Sequence, residues 1–133
     1  MNAETRTVTV EREFAYPPEK LWRALTTPHL IEEWLMKNDF VPEMGHTFQL
    51  RGEWGHADCR VLEIKKDRIL SYTWDAMGAE TVVTFTLEPT SNGTHLRVDQ
   101  AGFAKTAAQA FAGATYGWKN FLGKLDEVVG RMS

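Results

Sequence analysis

The sequence predicts an α+β domain in which a curved antiparallel sheet wraps around one long C-terminal helix. Three observations lead there. Segments from Thr5 onward alternate apolar and polar residues with period two, the mark of strands with one buried face. Two short helical stretches separate the first of these segments from the rest. Finally, the last quarter of the chain keeps a helical period without interruption.

Thr5 to Phe14 sets Val8 and Val10 against Thr7, Thr9 and Glu11, as a half-buried strand does. Pro17-Pro18 stops it and opens a helix, because proline suits a first helical turn and not a sheet interior. Leu21, Trp22 and Leu25 share one face of that helix, which Thr26-Thr27-Pro28 ends. His29 to Trp34 forms a second helix, with Leu30 and Trp34 four residues apart. Met36 to His46 has no period and holds Pro42 and Gly45, so a loop is expected.

A meander of about five strands follows. Thr47 to Arg51 alternates, and Gly52 to His56 is a turn or bulge carrying Trp54. Asp58 to Ile64 comes next, with Cys59/Val61 and Leu62/Ile64 competing for the inner face, then the turn Lys65-Lys66-Asp67. Ile69 to Trp74 aligns Leu70, Tyr72 and Trp74. Thr81 to Leu87 aligns Val83, Phe85 and Leu87. Ser91-Asn92-Gly93 is a hairpin signal, after which Thr94 to Gln100 aligns Leu96, Val98 and Gln100. The apolar face of this sheet needs a cover. Lys105 to Met132 supplies it, with Phe111, Ala114, Thr115, Trp118, Phe121, Leu122, Leu125, Val128, Val129 and Met132 at spacings of three and four. A helix of about 28 residues would run about 40 Å, enough to cross a small sheet.

Composition narrows the function. A length of 133 residues suits a single domain across 1–133, and 43% hydrophobic with 25% charged residues is ordinary globular content. A net charge of −3, with no basic run beyond Lys65-Lys66, argues against a nucleic-acid partner. Cys59 is the single cysteine, so no intrachain disulfide forms. No apolar run approaches the roughly 20 residues of a membrane span, and the start MNAETRTVTVERE has no signal-peptide core. A cytoplasmic protein without membrane insertion is expected.

The final helix is uneven. Its second half carries Trp118, Phe121, Leu122, Leu125 and Val129, whereas Thr106 to Ala114 is nearly all small. Interiors are close-packed, so small residues meet large partners or leave room. Either Trp34, Phe40, Trp54, Trp74 and Phe103 reach in and pack solid, or the space near Ala107 to Ala114 is hollow. Gly113 and Gly117 fit a close backbone approach, a bend that widens a pocket mouth, or a plain loss of helix stability.

Catalytic chemistry is sparse. His29, His46, His56 and His95 show no metal-ligand spacing, and Cys59 has no base beside it in sequence. Glu32-Glu33 point to different sides of a helix. There is no nucleophile elbow, phosphate loop or dinucleotide fingerprint, so no cofactor, metal or catalytic residue is assigned. Gln100, in the inward register, is either a satisfied core amide, the favoured reading, or a group that meets a ligand. Tyr116 flanks the apolar stripe, at a pocket rim or on the open surface.

The order and spacing of several runs resemble a known family. These are Arg12-Glu13-Phe14 with Pro17 to Thr26, Pro28 with Trp34, Gly45 with Phe48, Val61 through Tyr72-Thr73-Trp74, and Val82 to Glu88. Gly93-Thr94 with Leu96, Gly102-Phe103, and Gly117-Trp118 with Leu122 and Leu125 complete the set. Together, across residues 6 to 129, they resemble the bacterial proteins like the activator of Hsp90 ATPase homologue, within the START/Bet v 1-like (SRPBCC) superfamily. That resemblance implies the helix-grip fold, with a hydrophobic cavity between sheet and helix. The chain departs from the family pattern at Trp34-Leu35, at Met44-Gly45-His46 and at Ala112 to Tyr116, changes that make the implied pocket more apolar.

The function expected is binding of a small hydrophobic or aromatic molecule. Its candidate contacts are Trp34 from the second helix, Phe48, Leu50, Tyr72, Trp74, Phe85, Val98, Gln100 and Phe103 from the sheet, and Phe111, Ala114, Thr115 and Trp118 from the final helix. Two alternatives follow from the resemblance: an enzyme acting on a polyketide-like substrate in the same cavity, and an Hsp90-type co-chaperone. An Hsp90 homologue is the least favoured partner, and a homodimer is left open.

Overall fold

The computed structural model describes residues 5–132. Strand β1 (Thr5–Phe14) leads into helices α1 (Pro18–Thr26) and α2 (Pro28–Trp34). Strands β2 (Lys37–Asn38), β3 (Thr47–Gly52), β4 (Gly55–Lys65), β5 (Ile69–Ala76), β6 (Ala79–Thr90) and β7 (Gly93–Ala104) follow, and helix α3 (Ala108–Arg131) ends the fold. The sheet is antiparallel throughout, in the order β1-β7-β6-β5-β4-β3-β2. Each strand of the meander pairs with the next, while β1 returns to pair with β7. The first two strands therefore lie at opposite edges, and α1 and α2 carry the chain between them. Both helices rest on α3, and α1 also touches β6.

This is the α+β helix-grip architecture expected, with three local corrections. The stretch read as a loop contains β2, whose two residues pair with Arg51 and Leu50 and are too few to show alternation. Helix α3 starts at Ala108, not near Lys105, because β7 runs on to Ala104 and a turn from Ala104 to Ala107 intervenes. The contest within β4 is settled by a bulge between Val61 and Glu63. Before it Ala57, Cys59 and Val61 face the core; after it Ile64 lies opposite Leu70, and Leu62 is left exposed. Cys59 and Val61 therefore take the inner face, and of the rival pair only Ile64 joins them, beyond the bulge.

A second bulge shapes the site. The β1–β7 register shifts at Arg6/Thr7, opposite Gly102. Gly102 has φ +112°, and a Cβ there would sit 2.8 Å from the Glu80 carbonyl oxygen. Only glycine fits both restrictions comfortably. The extra residue lets Gln100 and Phe103, three positions apart, both be buried.

The core lies between the sheet, α1, α2 and the second half of α3, where Trp118, Leu122, Leu125, Val128 and Val129 are buried. Trp34 donates its indole N–H to the Ala24 carbonyl at 2.8 Å and meets Phe85 edge-on at 6.2 Å. Phe48 packs edge-on against both Phe40 and Tyr72, each at 5.1 Å. Edge strand β1 grips α3 near both ends: the Arg6 guanidinium lies 4.1 Å over the Phe111 ring, and Arg12 pairs with Asp126 at 3.0 Å. Among the described residues, no helix is long and apolar enough to cross a membrane.

Candidate functional site

From Trp118 onward α3 presents large side chains that fill the gap to the sheet. Before it, Ala107, Ala108, Ala110, Gly113, Ala114 and Gly117 do not reach across, and a cleft of about 820 Å³ opens. Trp74, Ala76, Ala79, Thr81, Gln100 and Phe103 form its sheet side; Met36, Trp54 and Met77 lie toward the loop and hairpin tips; Trp118 and Phe121 close it along the helix. Of the two outcomes weighed from sequence, the hollow one is observed. A Cβ at Gly113 would meet nothing within 4 Å, and one at Gly117 would touch only the Phe121 ring at 3.7 Å. Close backbone approach therefore does not explain these glycines.

On the sheet side of the wall the polar groups form one chain, while Thr106 and Gln109 border the cleft at the start of α3. Trp118 Nε1 donates to Gln100 Oε1 at 2.8 Å, Gln100 Nε2 donates to Thr81 Oγ1 at 2.9 Å, and Thr81 Oγ1 donates to the Trp74 carbonyl at 2.7 Å. Gln100 is thus a bonded core amide that also lies on the cleft wall. The Trp118 ring sits 5.7 Å from each of Trp74, Phe85 and Phe121, so it is held by rings on several sides.

No titratable side chain occurs among the described residues lining the cleft. The reactive groups elsewhere are muted. Burial, reinforced by the Asp75, Asp58 and Asp39 carboxylates, pushes the Cys59 thiol up to about 12. Burial likewise raises the Tyr72 phenol well above its usual range. Cys59 therefore stays a protonated thiol near neutral pH, and neither group lines the cleft. His95 lies between Glu13 at 2.6 Å and Glu11 at 2.9 Å, away from the cleft. Among the described residues no group of His, Cys, Asp or Glu is arranged to hold a metal ion. A second, polar concavity of about 460 Å³ carries Asp39, Asp58 and Asp75; there the Gln49 side-chain amide donates to Asp58 at 2.9 Å and the Gln49 backbone N–H donates to Asp39 at 2.7 Å.

Of the contacts expected from sequence, Trp74, Gln100, Phe103, Ala114 and Trp118 line the cleft. Phe85 lies off the wall, against Trp118. Trp34, Phe48, Leu50, Tyr72 and Val98 belong to the buried core and do not border the cleft, because the second half of α3 and the two short helices fill that end. Phe111 packs against Phe103 at 6.1 Å, under Arg6, and Thr115 turns its hydroxyl onto the Phe111 carbonyl of its own helix at 3.0 Å. Tyr116 is on the open surface, 70% exposed. Thr81, Met36, Met77 and Phe121 were not among the expected contacts. Met77 and Gly78 form the two-residue turn from β5 to β6, both with positive φ (54° and 81°). The glycine after Met77 was the readable signal for that turn.

The model of the family described as activator of Hsp90 ATPase homolog 1-like protein matches residues 15–130. The chain belongs to this family. Relatives of known structure extend the likeness over nearly the whole length of the chain. A crystal structure of a Mesorhizobium loti protein is 51% identical with a TM-score of 0.93, covering 96% of this chain and 99% of that one. A solution structure of a Bacillus halodurans protein is 29% identical with a TM-score of 0.83, covering 93% and 96%. A crystal structure of a protein in the dynemicin biosynthetic locus is 23% identical with a TM-score of 0.86, over 94% of this chain and 47% of that one, a likeness of fold. Among curated proteins, none matches the chain.

Proposed function

We propose that this protein binds a small, uncharged, largely apolar or aromatic molecule in the cleft beside α3 and does not transform it. The observation that carries this reading is the wall itself: aromatic rings and methyl groups, with the amides of Gln100 and Gln109 and the hydroxyls of Thr81 and Thr106, and no titratable side chain. General acid–base catalysis needs such a group within hydrogen-bond reach of the substrate. An enzyme working on a polyketide-like substrate here would have to do without one. The volume, about 820 Å³, lies in the range of ordinary small-molecule sites. A ligand burying about 300 Å² of apolar surface gains roughly 7 kcal/mol by transfer from water, which corresponds to micromolar affinity.

Titration with N-phenylnaphthylamine, an uncharged dye that brightens in apolar surroundings, tests the reading. Uptake should saturate at one dye per chain, be displaced by uncharged aromatics, and stay level through the pH range in which histidines titrate. A linear, unsaturable signal would refute it.

A further inference from the structure

The polar chain behind the cleft leaves one donor unused. A primary amide has two N–H hydrogens and a carbonyl oxygen with two lone pairs, whereas an indole N–H only donates. The Gln100 atom 2.8 Å from Trp118 Nε1 must then be the carbonyl oxygen. This fixes the amide, because turning it over would set two donors against each other. Nε2 consequently faces Thr81. The Thr81 hydroxyl spends its hydrogen on the Trp74 carbonyl, so it accepts from Gln100. The chain runs in one direction, from Trp118 through Gln100 and Thr81 to Trp74. One Nε2 hydrogen is used, and among the described residues no acceptor takes the other. Gln100 is 5% exposed and borders the cleft, so the cleft's occupant decides what that hydrogen meets.

We propose that Gln100 is the specificity-determining group of the cleft, selecting uncharged aromatic molecules that carry a carbonyl oxygen over hydrocarbons of the same shape. The proposal rests on the cleft being the binding site. A carbonyl oxygen placed at Gln100 accepts the unused N–H, while the ligand's rings rest against the indoles of Trp74 and Trp118, 5.7 Å apart. A hydrocarbon in the same place buries that donor unpaired, which costs more than an ordinary hydrogen bond contributes. A carboxylate is rejected for a different reason: no cation lines the wall to offset its lost hydration. The class selected is that of neutral aromatic ketones and quinones.

Fluorenone and fluorene share a tricyclic frame and differ at the carbonyl, so they form the test pair, compared by isothermal titration calorimetry on the whole chain. Fluorenone should bind about tenfold more tightly, and its addition should shift the Gln100 side-chain amide signals in the NMR spectrum. In Gln100→Met the two should bind alike. Saturable binding of both with equal affinity to the wild type overturns the role of Gln100 and leaves the cleft reading standing. Binding of neither overturns both. Gln100→Met strands the Trp118 N–H and can fail to fold, so Thr81→Val provides a second variant. It keeps the Trp118 contact, frees both Nε2 hydrogens, and should retain or widen the preference; loss of the preference there overturns the proposal.

Discussion

Replacing Ala114 by tryptophan separates an open cleft from a filled one. Ala114 is half-buried and borders the cleft of about 820 Å³. An indole that beds into open apolar space removes about 200 Å² from water, roughly 5 kcal/mol of transfer free energy, partly offset by ordering the side chain. In a filled interior the same change overpacks and costs about 1–3 kcal/mol. The geometry favours the first outcome, so Ala114→Trp should be at least as stable as wild type, with a melting midpoint no more than about 4 °C below it, the equivalent of about 1 kcal/mol. Uptake of N-phenylnaphthylamine by the same sample should fall at least tenfold, about 1.4 kcal/mol of lost affinity. Circular dichroism melts and dye titration read the two quantities independently. Ala24→Trp is the control for overpacking, since Ala24 is 0% exposed, and it should melt far below wild type. If Ala114→Trp melts like that control while dye uptake is undiminished, the space beside α3 is filled and the ligand goes elsewhere.

The bulge, the outer face and the buried thiol each yield a further expectation. Gly102→Ala should lower stability by about 1–3 kcal/mol for the positive φ alone, before the clash with Glu80, and should weaken dye uptake through Phe103; an unchanged urea midpoint would show that the bulge does not need glycine. For His95, the hydrogen bond with Glu11, then that with Glu13, raises the pKa above its ordinary 6.5. A raised folded-state value means stabilisation that is complete below about pH 6.5 and lost as pH climbs through the folded value. The urea-measured advantage of wild type over His95→Gln should therefore shrink on going from acid to alkaline pH, and an advantage that grows would contradict the pairing. Cys59, its thiol pushed up to about 12, should resist iodoacetamide at neutral pH until the chain is unfolded, so rapid labelling of the native protein would place the thiol in reach of solvent.

How the cleft came to be legible in part follows from particular residues. Strand parity placed Trp74 and Gln100 on the inner face, and helical spacing placed Ala114 and Trp118 on the covering one; both judgements need only neighbours two to four residues away. The same parity also selected Tyr72, Phe85 and Val98, which point inward yet lie at the filled end. Parity tells which face a side chain takes, but not how far along the sheet the helix above it is large or small. Thr81 escaped notice because its hydroxyl gains meaning only through Gln100, nineteen residues away.

What the sequence by itself determined is the order of the helices and of the strands other than β2, most of the inward faces, and the contrast between the small and large halves of α3, because each is written in short-range periodicity. The tertiary structure alone decided the bulges at Leu62 and Gly102, the one-way chain from Trp118 to Trp74, and the gathering of Met36, Trp54 and Met77 beside the cleft. These depend on which strands pair and at what offset. That is a property of contacts between distant segments, and no local pattern encodes it.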